Sequence, residues 1–493
     1  CSSDLLTAMI TAGITTTAFA ASNLDISATT AAPLSMKNSI AYGGNNKVEN
    51  GMFSPVNNIL LGGDNNTVRP SASNSITSGT NNTASGPGSI VAGWYNTNSA
   101  THSLVVGTSN TVGGTNNIVG GFGHANNDNA INSLLVGSYN SIDGHDSVAL
   151  GKNNTIKGNN ALVGGTGAKV QGNNAIAFGD TAKATSDDAY AIGRKAEATA
   201  LNTVAIGNNA KANNIMGTAI GYNAKAKNDY ATAVGYSSTG SGNQSSAFGF
   251  NSEATAMNTT AVGSYANASG AYSTALGFKT AASNEDSVAL GNYSTSAGKS
   301  AFAAGTLAKA AEKDSLAIGH SATTTKENGI AIGTNAMAVT DNSIALGAKS
   351  VTDTAVSTSS GVIGGRTYSF TGGNAVGTLS IGDSGAERTI TNVAAGRVSA
   401  TSTDAVNGSQ LHAIKDVVDN HENRITTIEG DINTLNNRII NGGANSLNEA
   451  KAYTDQQVSS VAAASAALAG LHPLDFDKHD KWSYSVGFGR SEE

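Results

Sequence analysis

From Gly179 to Gly347 a glycine returns every fourteen residues, and an alanine stands two places before each one, as in Ala177, Ala191, Ala205, Ala219, Ala233 and Ala345. The residue directly before the glycine is apolar throughout, from Phe178, Ile192, Ile206, Ile220 and Val234 to Ile332 and Leu346. The position two residues earlier is often apolar too (Ile176, Val204, Val288, Leu316, Ile344). Strand side chains alternate between faces, so these apolar slots point one way and the Ala and Gly the other. This reading makes the slot before the glycine core-facing and leaves a nearly bare Ala/Gly face. A second short strand is predicted where small residues recur three and five places after the glycine (Ala182 and Ala184, Ala196 and Ala198, Ala210 and Ala212). Turns rich in Asn, Asp, Lys and Gly join the two. Two short strands per fourteen residues, stacked at a fixed period, predict a β-solenoid. The phrase continues upstream, more loosely spaced and richer in Asn, through Gly79, Gly93, Gly107, Gly137 and Gly151.

So thin a coil buries little apolar area against an ordering cost of about 1–2 kcal/mol per residue. Lateral partners are the expected remedy, with the bare Ala/Gly face allowing neighbouring backbones to approach. The repeat therefore predicts an oligomer.

Past Gly347 the period fails, and residues 359–382 read as one or two hairpins bounded by Gly pairs. A new period follows: Leu411, Ile414, Val418, His421, Ile425, Ile428, Ile432, Leu435 and Ile439 alternate three and four apart, a heptad seam. Ile at both a and d positions favours three or four strands over two. His421 at a d position is either a buried polar layer, holding a water or anion, or a histidine tolerated near a frayed end. The seam breaks at Gly442 and Gly443 and resumes with Leu447, Val458, Val461 and Leu468. In the tail, Trp482, Tyr484, Val486 and Phe488 alternate with Ser483, Ser485, Gly487 and Gly489. That pattern fits a lipid-facing barrel strand or an amphipathic strand of a soluble sandwich, and one strand alone cannot span a membrane.

Composition narrows the chemistry. The 493 residues include 59 Gly, are only 5% aromatic and 13% charged, and carry a net charge of −7. Without a run of Lys or Arg, the electrostatic footprint of a nucleic-acid binder is missing. Cys1 is the single cysteine, which excludes an intrachain disulfide and zinc-type Cys/His spacing. The opening residues, apolar up to Ala18-Phe19-Ala20, read as the back half of an export signal; a short apolar strand or helix, or a lipidated Cys1, are the alternatives. The eight histidines form no Ser/His/Asp grouping, and glycine spacing matches neither a dinucleotide fingerprint nor a phosphate loop. His472, Asp475, Asp477, His479 and Asp480 superficially resemble a metal cluster, but a solvated approach to an anchor explains them better. No catalytic, cofactor or metal site is predicted.

The order of parts resembles the YadA-like family of trimeric autotransporter adhesins. The motifs behind the resemblance are the "SVALG"-type repeats from Gly151 to Gly347, "ERTITNVAAGRVSATSTDAVNGSQL" (387–411), the heptad segment and "AALAGLHPLDFD" (466–477). The resemblance implies a mainly β chain: a left-handed parallel β-roll head, homotrimeric, then a trimeric coiled-coil stalk and part of a transmembrane β-barrel anchor. It divides the chain into a partial signal (1–21), irregular Asn-rich head repeats (22–150), regular head repeats (151–352), a hairpin connector (353–386), a neck (387–410), the stalk (411–468) and the start of the anchor (469–493). It implies a non-enzymatic adhesin, exported to the cell outer membrane and cell surface, that binds host matrix, cell-surface glycoproteins or other bacteria. Because the start of the signal and three of the family's four anchor strands are missing, the chain reads as a piece of a longer product. A trimeric phage fibre and a carbohydrate-active solenoid are the rival readings.

Overall fold

The computed structural model describes residues 40–41, 45–49, 59–61, 63–363, 365–441 and 446–469. The expected signal (1–21) and the strand bearing Trp482, Tyr484, Val486 and Phe488 lie outside them. The described residues form two units, divided between Ala336 and Met337.

In the first unit every coil contributes one strand to each of two parallel sheets. Coil 202–215 shows the plan: Val204–Ile206 lies in the first sheet and Lys211–Ala212 in the second. Successive coils stack in register, with Val204, Ala205 and Ile206 opposite Thr218, Ala219 and Ile220, and Ala212 opposite Ala226. The corners are held in a left-handed backbone conformation. Asn209, Met216, Asn223, Tyr230 and Ser237, seven residues apart, all have φ between 52° and 59°. Such angles are costly for side chains other than Asn and Gly. The stack enforces them by ladder bonds: Asn209 N–H donates to the Arg194 carbonyl at 2.8 Å, and Met216 N–H to that of Leu201 at 2.9 Å. The repeating glycine is required by both angle and space. Gly207 has φ 129°, and a Cβ there would overlap the Gly221 carbonyl of the next coil.

The solenoid's interior corrects the reading of its faces. The fully buried residues of coil 202–215 are Thr203, Ala205, Ala210 and Ala212, and the same four positions are buried in its neighbours. The slot before the glycine is on the outside: Phe178 is 49% exposed and Leu276 48%. Two sheets joined by such tight corners leave room between them for little more than a methyl group, so alanine is the core and the large apolar side chains are displaced outward. Further upstream the interior admits somewhat larger groups, including Val105, Leu135, Ile142 and Ile156.

In the second unit, Ile344–Leu346 pairs in parallel with Leu379–Ser380, and Ser360–Ile363 forms an antiparallel hairpin with Arg366–Ser369. Helices α1 (Gly408–Asn441) and α2 (Ser446–Ala469) follow and pack on each other. Helix α1 starts on a reciprocal cap. Gln410 N–H donates to Asn407 Oδ1 at 3.2 Å and Asn407 N–H to Gln410 Oε1 at 3.1 Å. The Gln410 amide also donates to the Gly396 carbonyl at 2.6 Å and accepts from its N–H at 3.0 Å, tying the preceding segment to the helix start. Arg397 and Asp404 close that segment with a two-pronged ion pair, at 2.7 and 3.1 Å.

A methyl-sized interior makes a directional prediction. Ala219→Leu should lower the stability of the head by about 1–3 kcal/mol in denaturant unfolding, through overpacking, whereas Ile220→Leu beside it should cost less than about 1.5 kcal/mol. Equal losses at the two positions would contradict this placement of the core.

Candidate functional site

The head presents three ordered files of side chains along its stack. The first is the apolar stripe on the outer side of the first sheet, through Phe178, Ile192, Ile206, Ile220, Val234, Phe248 and Leu276. Each flanks a buried alanine and is itself half-buried or exposed. A continuous apolar patch of this kind marks a surface meant to be covered.

The second file is aromatic and lies at the corner after the glycine. Tyr222, Tyr236 and Phe250 stack with centroids 4.9 and 5.1 Å apart, and Tyr265, Phe278 and Tyr293 continue the file edge to face. The Lys279 ammonium lies 5.3–5.9 Å from the centroids of Tyr265, Phe278 and Tyr293, a cation held over three rings. Sequence reading missed this file because Tyr265 and Tyr293 stand two places after the glycine while the other members stand one. The signal was there in the matched offsets of Tyr222, Tyr236 and Phe250.

The outer side of the second sheet is polar instead. Lys183 and Lys211 both pair with Glu197, at 3.1 and 2.9 Å. The Lys211 hydrogen bond, followed by that of Lys183, holds the Glu197 carboxyl below its usual range.

The third file is internal and was also missed. In the upstream coils the position three after the glycine is a buried asparagine: Asn82, Asn96, Asn110, Asn140 and Asn154. The Asn96 amide donates to Asn82 Oδ1 at 2.9 Å and to the Gly107 carbonyl at 2.7 Å. Asn96 Oδ1 in turn accepts from the Asn110 amide at 2.9 Å and from its N–H at 3.1 Å. His124 takes the place of one rung. The ladder ends at Ala168, whose N–H donates to Asn154 Oδ1 at 2.9 Å, and later rungs are alanine (Ala182, Ala196, Ala210, Ala224) or a small hydroxyl residue (Ser238, Ser252, Thr280, Ser294). The sequence signal was the change from Asn to Ala three places after the glycine.

On α1 the structure buries Ile425 to 5% exposure and half-buries Leu411, Val418, Ile428, Ile432 and Leu435, while Ile414 is 54% exposed. His421 is exposed, and the side chain of Ile439 lies outside the described residues. Among the described residues no three His, Cys, Asp or Glu are grouped to hold a metal ion. No described helix is long and apolar enough to cross a membrane, which bears on helices alone.

A parallel solenoid of fourteen-residue coils with an apolar outer stripe, together with a capped long helix, defines a repetitive head-and-stalk protein. Residues 184–210, 212–238, 241–266, 268–294, 296–322 and 325–350 match the YadA head domain repeat, and residues 389–434 match the coiled stalk of trimeric autotransporter adhesin. Residues 184–350 thus carry head repeats of the YadA type, and residues 389–434 a stalk of the trimeric autotransporter adhesins. It is similar to the autotransporter adhesin BtaE of Brucella suis biovar 1 (strain 1330), with 56% identity over 71 residues, 14% of this chain and 10% of that protein. The chain thus spans about a tenth of that relative's length. Among solved structures, the C-terminal YadA-like domain of BPSL2063 from Burkholderia pseudomallei is 42% identical over 25% of this chain and 56% of its own, with a TM-score of 0.22. The collagen-binding domain of Yersinia adhesin YadA is 24% identical over 44% of this chain and 99% of its own, with a TM-score of 0.26.

The asparagine file makes a stability prediction. Asn96→Ala removes the amide's donations to Asn82, Ala92 and Gly107 and leaves both N–H and amide of Asn110 short of an acceptor inside the stack, so it should cost about 1–3 kcal/mol in denaturant unfolding. A change within about 0.5 kcal/mol would show that the file contributes no stability.

Proposed function

We propose that the chain is the head and stalk of a trimeric surface adhesin, displayed on a bacterial outer membrane and attaching the cell to host matrix, cell-surface glycoproteins or other bacteria. The observation behind this reading is the apolar stripe on the first sheet. Three copies bundled about that stripe would bury Ile192, Ile206, Ile220 and their neighbours, at about 25 cal/mol per Å² of apolar surface removed from water. They would leave the polar outer side of the second sheet facing outward. The same association accounts for the stalk, where Leu411, Ile414, Val418, Ile425, Ile428, Ile432, Leu435 and Ile439 would form a three-stranded seam, with His421 as a polar layer within it. The matches to adhesin head repeats and stalk, and the repetition of one outer surface over many coils, favour adhesion over catalysis. A regular array of weak sites gains apparent affinity when it engages a repetitive target. The anchor and the export route rest on the family resemblance alone.

Two outcomes check this reading. Ile206→Asp and Ile220→Asp in the head, combined with Ile425→Asp and Ile428→Asp in the stalk, should convert a trimer into monomer in sedimentation equilibrium, while Lys211→Asp on the second sheet should leave the trimer intact. Binding to a surface coated with matrix glycoprotein should weaken on the order of 10²-fold or more in the dissociated variant, through lost multivalency. A wild-type chain that sediments as a monomer contradicts the assembly, and a trimer that binds neither matrix glycoprotein, cells nor other trimers contradicts adhesion.

A further inference from the structure

We propose that residues 124–130 form an acid-released joint in the head, with His124 as its trigger. The ring is fully enclosed and stands in for one rung of the asparagine file. Its Nδ1 accepts from the Asn140 N–H at 3.2 Å, its Nε2 faces the Gly120 carbonyl at 3.1 Å, and the His124 N–H donates to Asn110 Oδ1 at 3.0 Å. These partners define one neutral tautomer, with the proton on Nε2. A second proton can go only to Nδ1, which already points at a donor. Protonation would therefore oppose two N–H groups and place a cation in an uncharged interior. An asparagine rung has no such state, because its amide does not titrate.

The surroundings offer no compensating charge. The groups around the ring are Asn110, Asn140, Gly120 and Gly137, all uncharged, and burial lowers the imidazole's proton affinity below its ordinary value. The titratable groups of the adjoining coils (His102, Asp128, Tyr139, Asp143, His145 and Asp146) occupy exposed or half-buried turns. Asp143 is bonded by Asn127 and Asn129, and Asp146 by Asn132 and His145. Both carboxyls are held below their usual range and so stay ionised in mild acid.

An independent set of observations shows longer second-sheet bonds at this step than in the coils on either side. In the second sheet, Gly113 N–H reaches the Asn126 carbonyl at 3.3 Å and Asn127 N–H that of Ile142 at 3.4 Å. The equivalent bonds two coils either side (Ser85 to Asn98, Ser99 to Val112, Asp143 to Ile156, Lys157 to Val170) measure 2.7–2.9 Å. Asn126 is buried with neither its amide oxygen nor its nitrogen partnered. The glycines Gly121 and Gly137 bound a coil two residues longer than the fourteen-residue rule. A groove of about 240 Å³, lined by Asn126, Asn127, Ser141, Asp143 and Lys157, opens at this step. A titratable rung thus sits where the second-sheet bonds are already longer than in the neighbouring coils.

The direction follows from linkage. A histidine whose folded affinity for protons is lowered supports the fold above its unfolded pKa of about 6.5, and that support is lost as pH falls below it toward the folded value. The neutral head is then continuous across the joint, and mild acid loosens residues 113–146 without melting the alanine-cored coils beyond.

Amide hydrogen exchange of the full chain, read by mass spectrometry at pH 7.5 and 5.0 and corrected for intrinsic rates, tests this. In the wild type, protection over 113–146 should fall at least tenfold at pH 5.0 while residues 204–240 keep theirs. In His124→Asn, which restores the rung present at Asn110 and Asn140, protection should hold at both pH values. Asn126→Val, which places the valine of Val112 one coil along, should raise protection at both while keeping the wild-type ratio. Equal protection in the wild type at the two pH values, an undiminished loss in His124→Asn, or a ratio abolished by Asn126→Val would each overturn the proposal.

Discussion

The room between the two sheets governs everything else in the head. A coil of fourteen residues turns two tight corners, and what remains inside is filled by the methyl groups of Ala205, Ala210 and Ala212 and the hydroxyl side chain of Thr203. In these alanine-cored coils Ile206, Ile220 and Leu276 stand outside on the first sheet, whereas upstream coils admit Val105, Leu135, Ile142 and Ile156 to the interior. Close packing tolerates no such redundancy of apolar groups in water without a partner surface. The proposal that three copies share that surface arises from this geometry. It reverses the assignment of faces that alternation alone suggested, while keeping the conclusion that the coils associate.

Where the interior offers so little apolar burial, backbone bonding and polar files supply the order. Left-handed corners at Asn209, Met216 and Tyr230 persist because each donates its N–H to the coil before it. The upstream coils add the asparagine file, in which the side-chain amide of Asn96 is bonded to the rungs on both sides. Downstream of Ala168 the interior is mostly alanine with buried Ser and Thr such as Ser238, Ser252 and Thr280, and outer contacts such as Tyr222–Tyr236–Phe250 line the corner. The two halves of the head solve one problem differently, with a file of asparagines bonded from coil to coil in one and smaller cores, local hydroxyl bonds such as Ser238 to Gly235 and outer stacking in the other.

Much of this was legible in the sequence. The glycine period set the coil, and its alternation set two strands per coil, because strand geometry leaves few other ways to repeat every fourteen residues. The heptads from Leu411 set a long helix, though its capping by Asn407 and Gln410 was not read. What alternation could not decide was which face is inside, since Val204 and Ala205 satisfy a period of two equally well. Only the tightness of the corners chooses, and that depends on the left-handed angle at residues such as Tyr230 that no propensity favours. The asparagine file was visible as composition before it was visible as structure. Its buried role required knowing that Asn82, Asn96 and Asn110 point inward.

The central claim, that the alanine interior forces the apolar stripe into contacts between copies, is tested most directly by thermal unfolding of the chain over a hundredfold range of concentration. Association that stabilises the folded state makes the midpoint rise with protein concentration. The account predicts that rise for the transition of the head. A midpoint that stays constant across the range would show that each copy holds its coils together unaided.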